Sequence, residues 1–205
     1  MGLFDTVKSV LGIRAEADAS RAADPEDLFG MSTAYVTMEA DLDFTSVGAA
    51  ALCFSSVDST DFAAAVDEVE TILRAGEEET GTVFRRHEDD HGYHWVVLED
   101  DDPEDLVTSI HFAADEFVEQ GYGSRILAAV FGFSRETDGG TDRAYWVYSF
   151  RRGAYYPFAP SGQRERNNRL EFKLQSVLDG ELEVESDERY WYPLWPDARG
   201  THPWD

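Results

Sequence analysis

Apolar residues along this chain alternate between a spacing of three to four and a spacing of two, and the switches divide it into elements. Leu3, Phe4, Val7, Val10 and Leu11 share one face at helical spacing with Gly12 as a stop, so residues 1–12 are expected to form a short amphipathic helix. Residues 14–24 are polar and alanine-rich, so 13–24 reads as a linker. Beyond Pro25, Tyr35, Val36 and Met38 suggest a strand, and residues 47–54 a second, more buried one. Ser59 or Thr60 is placed to cap a helix with Phe62, Val66, Val69, Ile72 and Leu73 on one stripe and Gly76 at its end. Residues 82–86 and 93–98 flank an acidic, glycine-containing turn, the pattern of a hairpin.

Asp102-Pro103 opens the next helix, because proline suits a first helical position; Leu106, Ile110, Ala113 and Phe117 recur on one face and Gly121 closes it. Residues 126–133 form a continuous apolar strand, and 145–150 alternate Tyr, Val and Phe types as another, joined through the acidic, glycine-rich 136–142. A turn at Arg152-Gly153 leads to a strand over 155–158. Ser161 is placed to cap a last helix whose Leu170, Leu174 and Leu178 point inward, and the tail 190–196 is rich in aromatic residues. Strands joined by short turns pair antiparallel. The expected fold class is therefore α+β, with antiparallel sheet and helices packed on one side. Residues 25–205 are read as a single domain, within which 25–121 and 122–196 resemble two degenerate sheet-plus-helix units.

Charge changes the picture. Asp and Glu number 42 against 17 Lys and Arg, a formal net charge of −25, and lysine appears only as Lys8 and Lys173. Such a charge opposes compaction through self-repulsion in dilute salt. At about 1 M salt the Debye length shrinks to about 3 Å and the repulsion is screened. The acidity therefore describes a halophilic, salt-loaded cytoplasm, and it argues against nucleic acid as a partner. No apolar run approaches the roughly 20 residues of a membrane span, and the N-terminus lacks a signal-peptide pattern. The single Cys53 lies in an apolar run and reads as a small core hydrophobe.

One window runs against the general charge. Between Arg143 and Lys173 seven basic residues face only Glu165 and Glu171, a net +5. The same stretch holds Tyr145, Trp146, Tyr148, Phe150, Tyr155, Tyr156, Phe158 and Phe172. Arginine forks onto carboxylates and stacks on rings, which suits an acidic partner surface. The candidate partner-binding residues are Arg151, Arg152, Tyr155, Tyr156, Phe158, Arg166, Arg169 and Lys173, with Arg166, Arg169 and Lys173 expected on one helix face. The competing expectation is that these arginines neutralise the protein's own carboxylates.

Catalytic motifs are weaker. His87-Glu88-Asp89-Asp90-His91 spells H-E-x-x-H, but zinc chemistry needs both histidines one helical turn apart. Here β-type residues flank the motif and place it across a hairpin turn. On a strand, residues four apart are separated by about 13 Å, too far to share one metal. His111 reads as a hydrogen-bonded packing residue and His202 as a solvated tail residue. No nucleophile elbow, phosphate loop or dinucleotide fingerprint occurs, so no catalytic residue, metal or cofactor is expected. Met1-Gly2-Leu3-Phe4-Asp5-Thr6 fits a myristoylation pattern, but the unmodified apolar face is expected first to pack on the body, with a partner or a membrane surface as alternatives, since Lys8 beside Asp5 gives lipid little electrostatic help.

Several blocks in order, MGLFD, GTVFRR…GYHWVVL, DLVTSIHFAADEFVEQGYGSRILAAVFGF, YWVYSFRRGAYYPFAPSGQRERNNRLEFKL and YWYPLWP, resemble the PspA-associated protein PspAB family. The linker 14–24, the acidic 136–142 and the tail beyond Pro196 depart from that pattern. The resemblance implies a place in a phage-shock-type membrane stress response, with a PspA-like protein, a PspAA-like companion or an HtpX-like membrane protease as partner, and it implies no enzymatic activity. The expected function is a non-enzymatic cytoplasmic adaptor or regulator. The alternative is a peripheral membrane module using Leu3, Phe4, Val7, Val10 and Leu11; behind both stands a zinc hydrolase built on His87, Glu88 and His91.

Overall fold

The computed structural model describes residues 22–162, 164–195 and 202. The expected N-terminal helix, with Leu3, Phe4, Val7, Val10 and Leu11, and most of the linker lie outside the described residues.

A single 3-10 turn, Pro25–Phe29, leads into helix α1, Gly30–Leu42. There follow strand β1 (Thr45–Ser55), helix α2 (Thr60–Thr80), the hairpin β2 (Val83–Glu88) and β3 (Tyr93–Glu99), and helix α3 (Pro103–Glu119). Strands β4 (Ile126–Thr137), β5 (Gly140–Ser149) and β6 (Ala154–Phe158) and helix α4 (Asn168–Leu178) complete the order. All six strands join one sheet in the order β2-β3-β1-β4-β5-β6, and every neighbouring pair is antiparallel. The α+β class is as expected from the sequence.

Two corrections concern elements. The segment around Tyr35, Val36 and Met38 is helix, because Leu28, Met31, Tyr35, Met38 and Leu42 recur at three and four and all are buried. Val36, the most β-like residue of that group, points to solvent. The last helix is capped by Asn167, whose side chain accepts the Leu170 N–H at 3.1 Å, and not by Ser161. Elsewhere the local chemistry is as read: Ser59 accepts the Phe62 N–H at 3.3 Å, and Asp102 accepts the Glu104 N–H at 2.9 Å ahead of Pro103. Helix α2 continues past Gly76 to a left-handed cap at Gly81.

Both faces of the sheet are covered. Helices α1–α4 lie on one, burying Leu52, Phe54, Leu98, Phe131, Trp146, Tyr148 and Tyr155. The opposite face, with Cys53, Trp95, Val97, Val130, Tyr145, Val147, Tyr156 and Phe158, packs against Trp191 and Tyr192 of the tail, with Leu194 and Trp195 alongside. His202 is not solvated as expected: its ring lies over Gly132, where an added Cβ would come 3.5 Å from it and 2.6 Å from Val47. Only glycine fits there.

Candidate functional site

The Arg/aromatic window spans β5, β6 and α4, and burial divides it into an inner and an outer set. Tyr155, Tyr156 and Phe158 are all at most 1% exposed. Strand alternation sends Tyr155 to the helix side and Tyr156 and Phe158 to the opposite one. Although β6 is the last strand of the sheet, residues 183–185 run along it: Tyr155 N–H donates to Glu183 O and Glu185 N–H to Tyr155 O, both at 2.8 Å. Burial pushes the Tyr155 and Tyr156 phenols well above their ordinary range. These three rings are core, and as partner anchors they are corrected.

Arg152 and Arg166 are internal staples. Arg152 Nε lies 2.6 Å from Glu185 Oε2, and its guanidinium stacks 3.9 Å from the centroid of Tyr190. Arg166 precedes α4 and so does not share a helix face with Arg169 and Lys173. Its Nε donates to both oxygens of Glu171 at 2.9 and 3.1 Å, and its Nη1 to Trp191 O at 2.7 Å. Glu171 also accepts the Ala159 N–H at 2.9 Å. One ion pair thereby ties the exit of β6, the first turn of α4 and the aromatic tail. Arg151 donates from Nη2 to Ser124 O at 2.7 Å, pinning the β5–β6 turn to the turn before β4.

The outer set is what remains. Arg169, Phe172 and Lys173 stand on the solvent face of α4, opposite the buried Leu170, Leu174 and Leu178. Phe172 is 44% exposed, its ring 6.0 Å from that of Trp191. Neither Arg169 nor Lys173 meets a carboxylate among the described residues. Phe172 was in the window but not among the candidates; its position between two cations, off the leucine stripe, was the available signal.

Beside the first turn of α4 a cleft of about 460 Å³ opens between the β4–β5 hairpin and residues 160–162. It is lined by Arg143, Thr141, Ser161 and Asn167 among others. A second hollow of about 240 Å³ lies between Phe54, Phe62, Arg86 and His94.

The H-E-x-x-H residues fall across the β2–β3 hairpin, with His87 and Glu88 ending β2 and Asp89 to His91 in the turn. Asp89 organises that turn, accepting the His91 and Tyr93 N–H groups at 2.9 and 3.0 Å and the Trp95 indole at 2.9 Å. Among the described residues no three His, Cys, Asp or Glu side chains gather as a metal would need. His111 is buried, with Nε2 3.2 Å from Glu26 and its ring 4.5 Å from Phe29. Among the described residues no helix is long and apolar enough to cross a membrane.

A family model described as PspA associated protein B matches residues 1–204. The chain belongs to the PspAB family. No curated protein and no solved structure matches it. PspAB membership associates the chain with PspA, and so with a phage-shock-type system. It assigns no residue a role, so the surface itself must indicate how such an association is made.

Proposed function

We propose that this PspAB chain is a non-enzymatic cytoplasmic adaptor that binds an acidic helix or loop of a PspA-like partner through the outer face of α4. The observation that carries it is the triplet Arg169, Phe172 and Lys173: two cations without a carboxylate partner among the described residues, around a half-exposed ring, in a protein of charge −25. A self-neutralising role would have placed acids beside them, as it does at Arg152 and Arg166. Phe172 supplies an apolar anchor and the flanking cations supply contacts to carboxylates, the combination found at interface hot spots. In molar salt, fields beyond about 3 Å are screened, so two acidic proteins approach freely and only contact pairs discriminate between partners. A PspAA-like companion and an HtpX-like membrane protease are the other partners of this reading.

The test is capture of a purified PspA-like protein in high salt by wild type and by R169E/K173E. The reading expects at least a tenfold loss of binding with an unchanged melt, since both side chains are exposed. Undiminished capture by the double reversal removes the site.

A further inference from the structure

Strand β5 outruns its neighbour. Its pairing with β4 continues to Thr137↔Gly140, whereas its pairing with β6 stops at Tyr145↔Phe158. Residues 140–144 therefore have a strand on one side only, and among the described residues no strand lies on their outer edge. The chain leaving β6 turns away at Pro160, which bridges to Arg166, and the cleft of about 460 Å³ is the gap left between Pro160–Gly162 and Gly140–Arg143. An open strand edge presents main-chain donors and acceptors in a row and is a template for another chain.

The side chains around this edge select the template's partner. Arg143 lines the cleft, and its Nε is sealed from solvent without a hydrogen-bond acceptor among the described residues. A buried guanidinium N–H left unsatisfied is unfavourable, and an incoming carboxylate would relieve it. Two of the nearby acids are engaged, Asp142 by Arg135 at 2.9 Å and Glu136 by Thr141 at 2.9 Å, whereas Glu165 Oε2 stands at the opposite rim, 3.7 Å from where a Cβ on Gly162 would lie. Asn167, whose carbonyl oxygen accepts the Leu170 N–H, and Ser161 line the cleft opposite Arg143. Arg143 is the basic residue of that lining, and the cleft adjoins the first turn of α4, which carries Arg169.

We infer that the cleft receives an extended acidic peptide segment, which adds a short strand to the outer edge of residues 140–143 and places a carboxylate on Arg143. Four residues of edge offer about 13 Å of pairing length. Main-chain bonds supply the affinity, and the Arg143 contact supplies the preference for an acid at the facing position. The inference extends the docking reading, with the α4 face as the neighbouring half of the same partner surface; a peptide tests it first, and partner capture separates its failure from that of the α4 reading.

The probe is a fluorescent peptide, acetyl-Thr-Val-Glu-Val-Glu-Thr-amide, titrated into the full chain in molar KCl. Saturable binding is expected, weakened at least tenfold by R143Q and abolished both by a lysine-for-glutamate peptide and by N-methylating the peptide amides that would pair. Backbone amide resonances of Thr141 and Arg143 should shift on binding and those of β2 should not. No saturable binding, or binding indifferent to R143Q, overturns the inference. Sensitivity to R143Q without sensitivity to N-methylation overturns strand addition, and inorganic phosphate displacing the peptide at equal concentration shows an anion site of another kind and overturns it too. Partner capture lost in R169E/K173E but intact in R143Q leaves the α4 reading standing and this one refuted.

Discussion

Arg152 and Glu185 meet at 2.6 Å with each side chain only 7% exposed, which makes this ion pair a structural bolt between the β5–β6 turn and the segment that covers the sheet edge. Removing one partner strands the other as a buried charge, at a cost of about 3–5 kcal/mol. R152M or E185L alone should lose that much in urea melts run in high salt. The double variant R152M/E185L should recover most of it, since a well-packed apolar pair is often as stable as a buried ion pair. Equal losses in the single and double variants would show that the charges do not compensate one another.

Phe158 and Phe172 lie in the same window and should respond in opposite ways. Phe158 is fully buried, so F158A should cost about 3–5 kcal/mol of stability. F172A, at a half-exposed position, should leave the melt within about 1 kcal/mol and weaken partner capture. Thermal melts and capture assays on the two variants separate core from contact surface.

Buried phenols set the alkaline limit. Burial raises Tyr192 to about 12 and lifts Tyr35, Tyr155 and Tyr156 further above their ordinary value of 10.0. A group whose folded value is raised stabilises the fold in full below its unfolded value, and that contribution is lost as pH rises through the folded value. Stability should therefore fall from about pH 10 upward, and absorbance at 295 nm should show these tyrosines titrating together with loss of near-ultraviolet dichroism. Smooth titration near pH 10 with an intact fold would contradict the burial.

Self-repulsion predicts salt dependence. With a net charge of −25, melting temperature should drop between molar and millimolar KCl, because the Debye length grows from about 3 Å to beyond 10 Å. A melting temperature independent of salt would remove halophilic adaptation as the cause of the composition.

Much of the fold is legible in the sequence because strands and helices here carry their periods openly: Leu106, Ile110, Ala113 and Phe117 on α3, and the alternation of 145–150. Helix α1 is hidden because Tyr35 and Val36 carry β-type side chains and only the longer series from Leu28 to Leu42 reveals the helical period. The window was legible as a charge anomaly, but its division into staples and surface was not. Strand alternation on a sheet covered on both sides buries rings at odd and even positions alike, and pairings such as Arg152 with Glu185 join residues 33 apart in sequence. One clue was available: Glu171 is a rare acid in the basic stretch, flanking the leucine stripe of α4, where an inward arginine partner is required.

The central claim is that an acidic partner engages the outer face of α4, and hydrogen exchange of the full chain with and without a purified PspA-like protein, in high salt, tests it most directly. The account predicts slowed exchange concentrated in residues 139–144 and 164–178. Protection confined to other surfaces, such as the Phe29–Phe112 side of the helix layer, with none on α4, would contradict it.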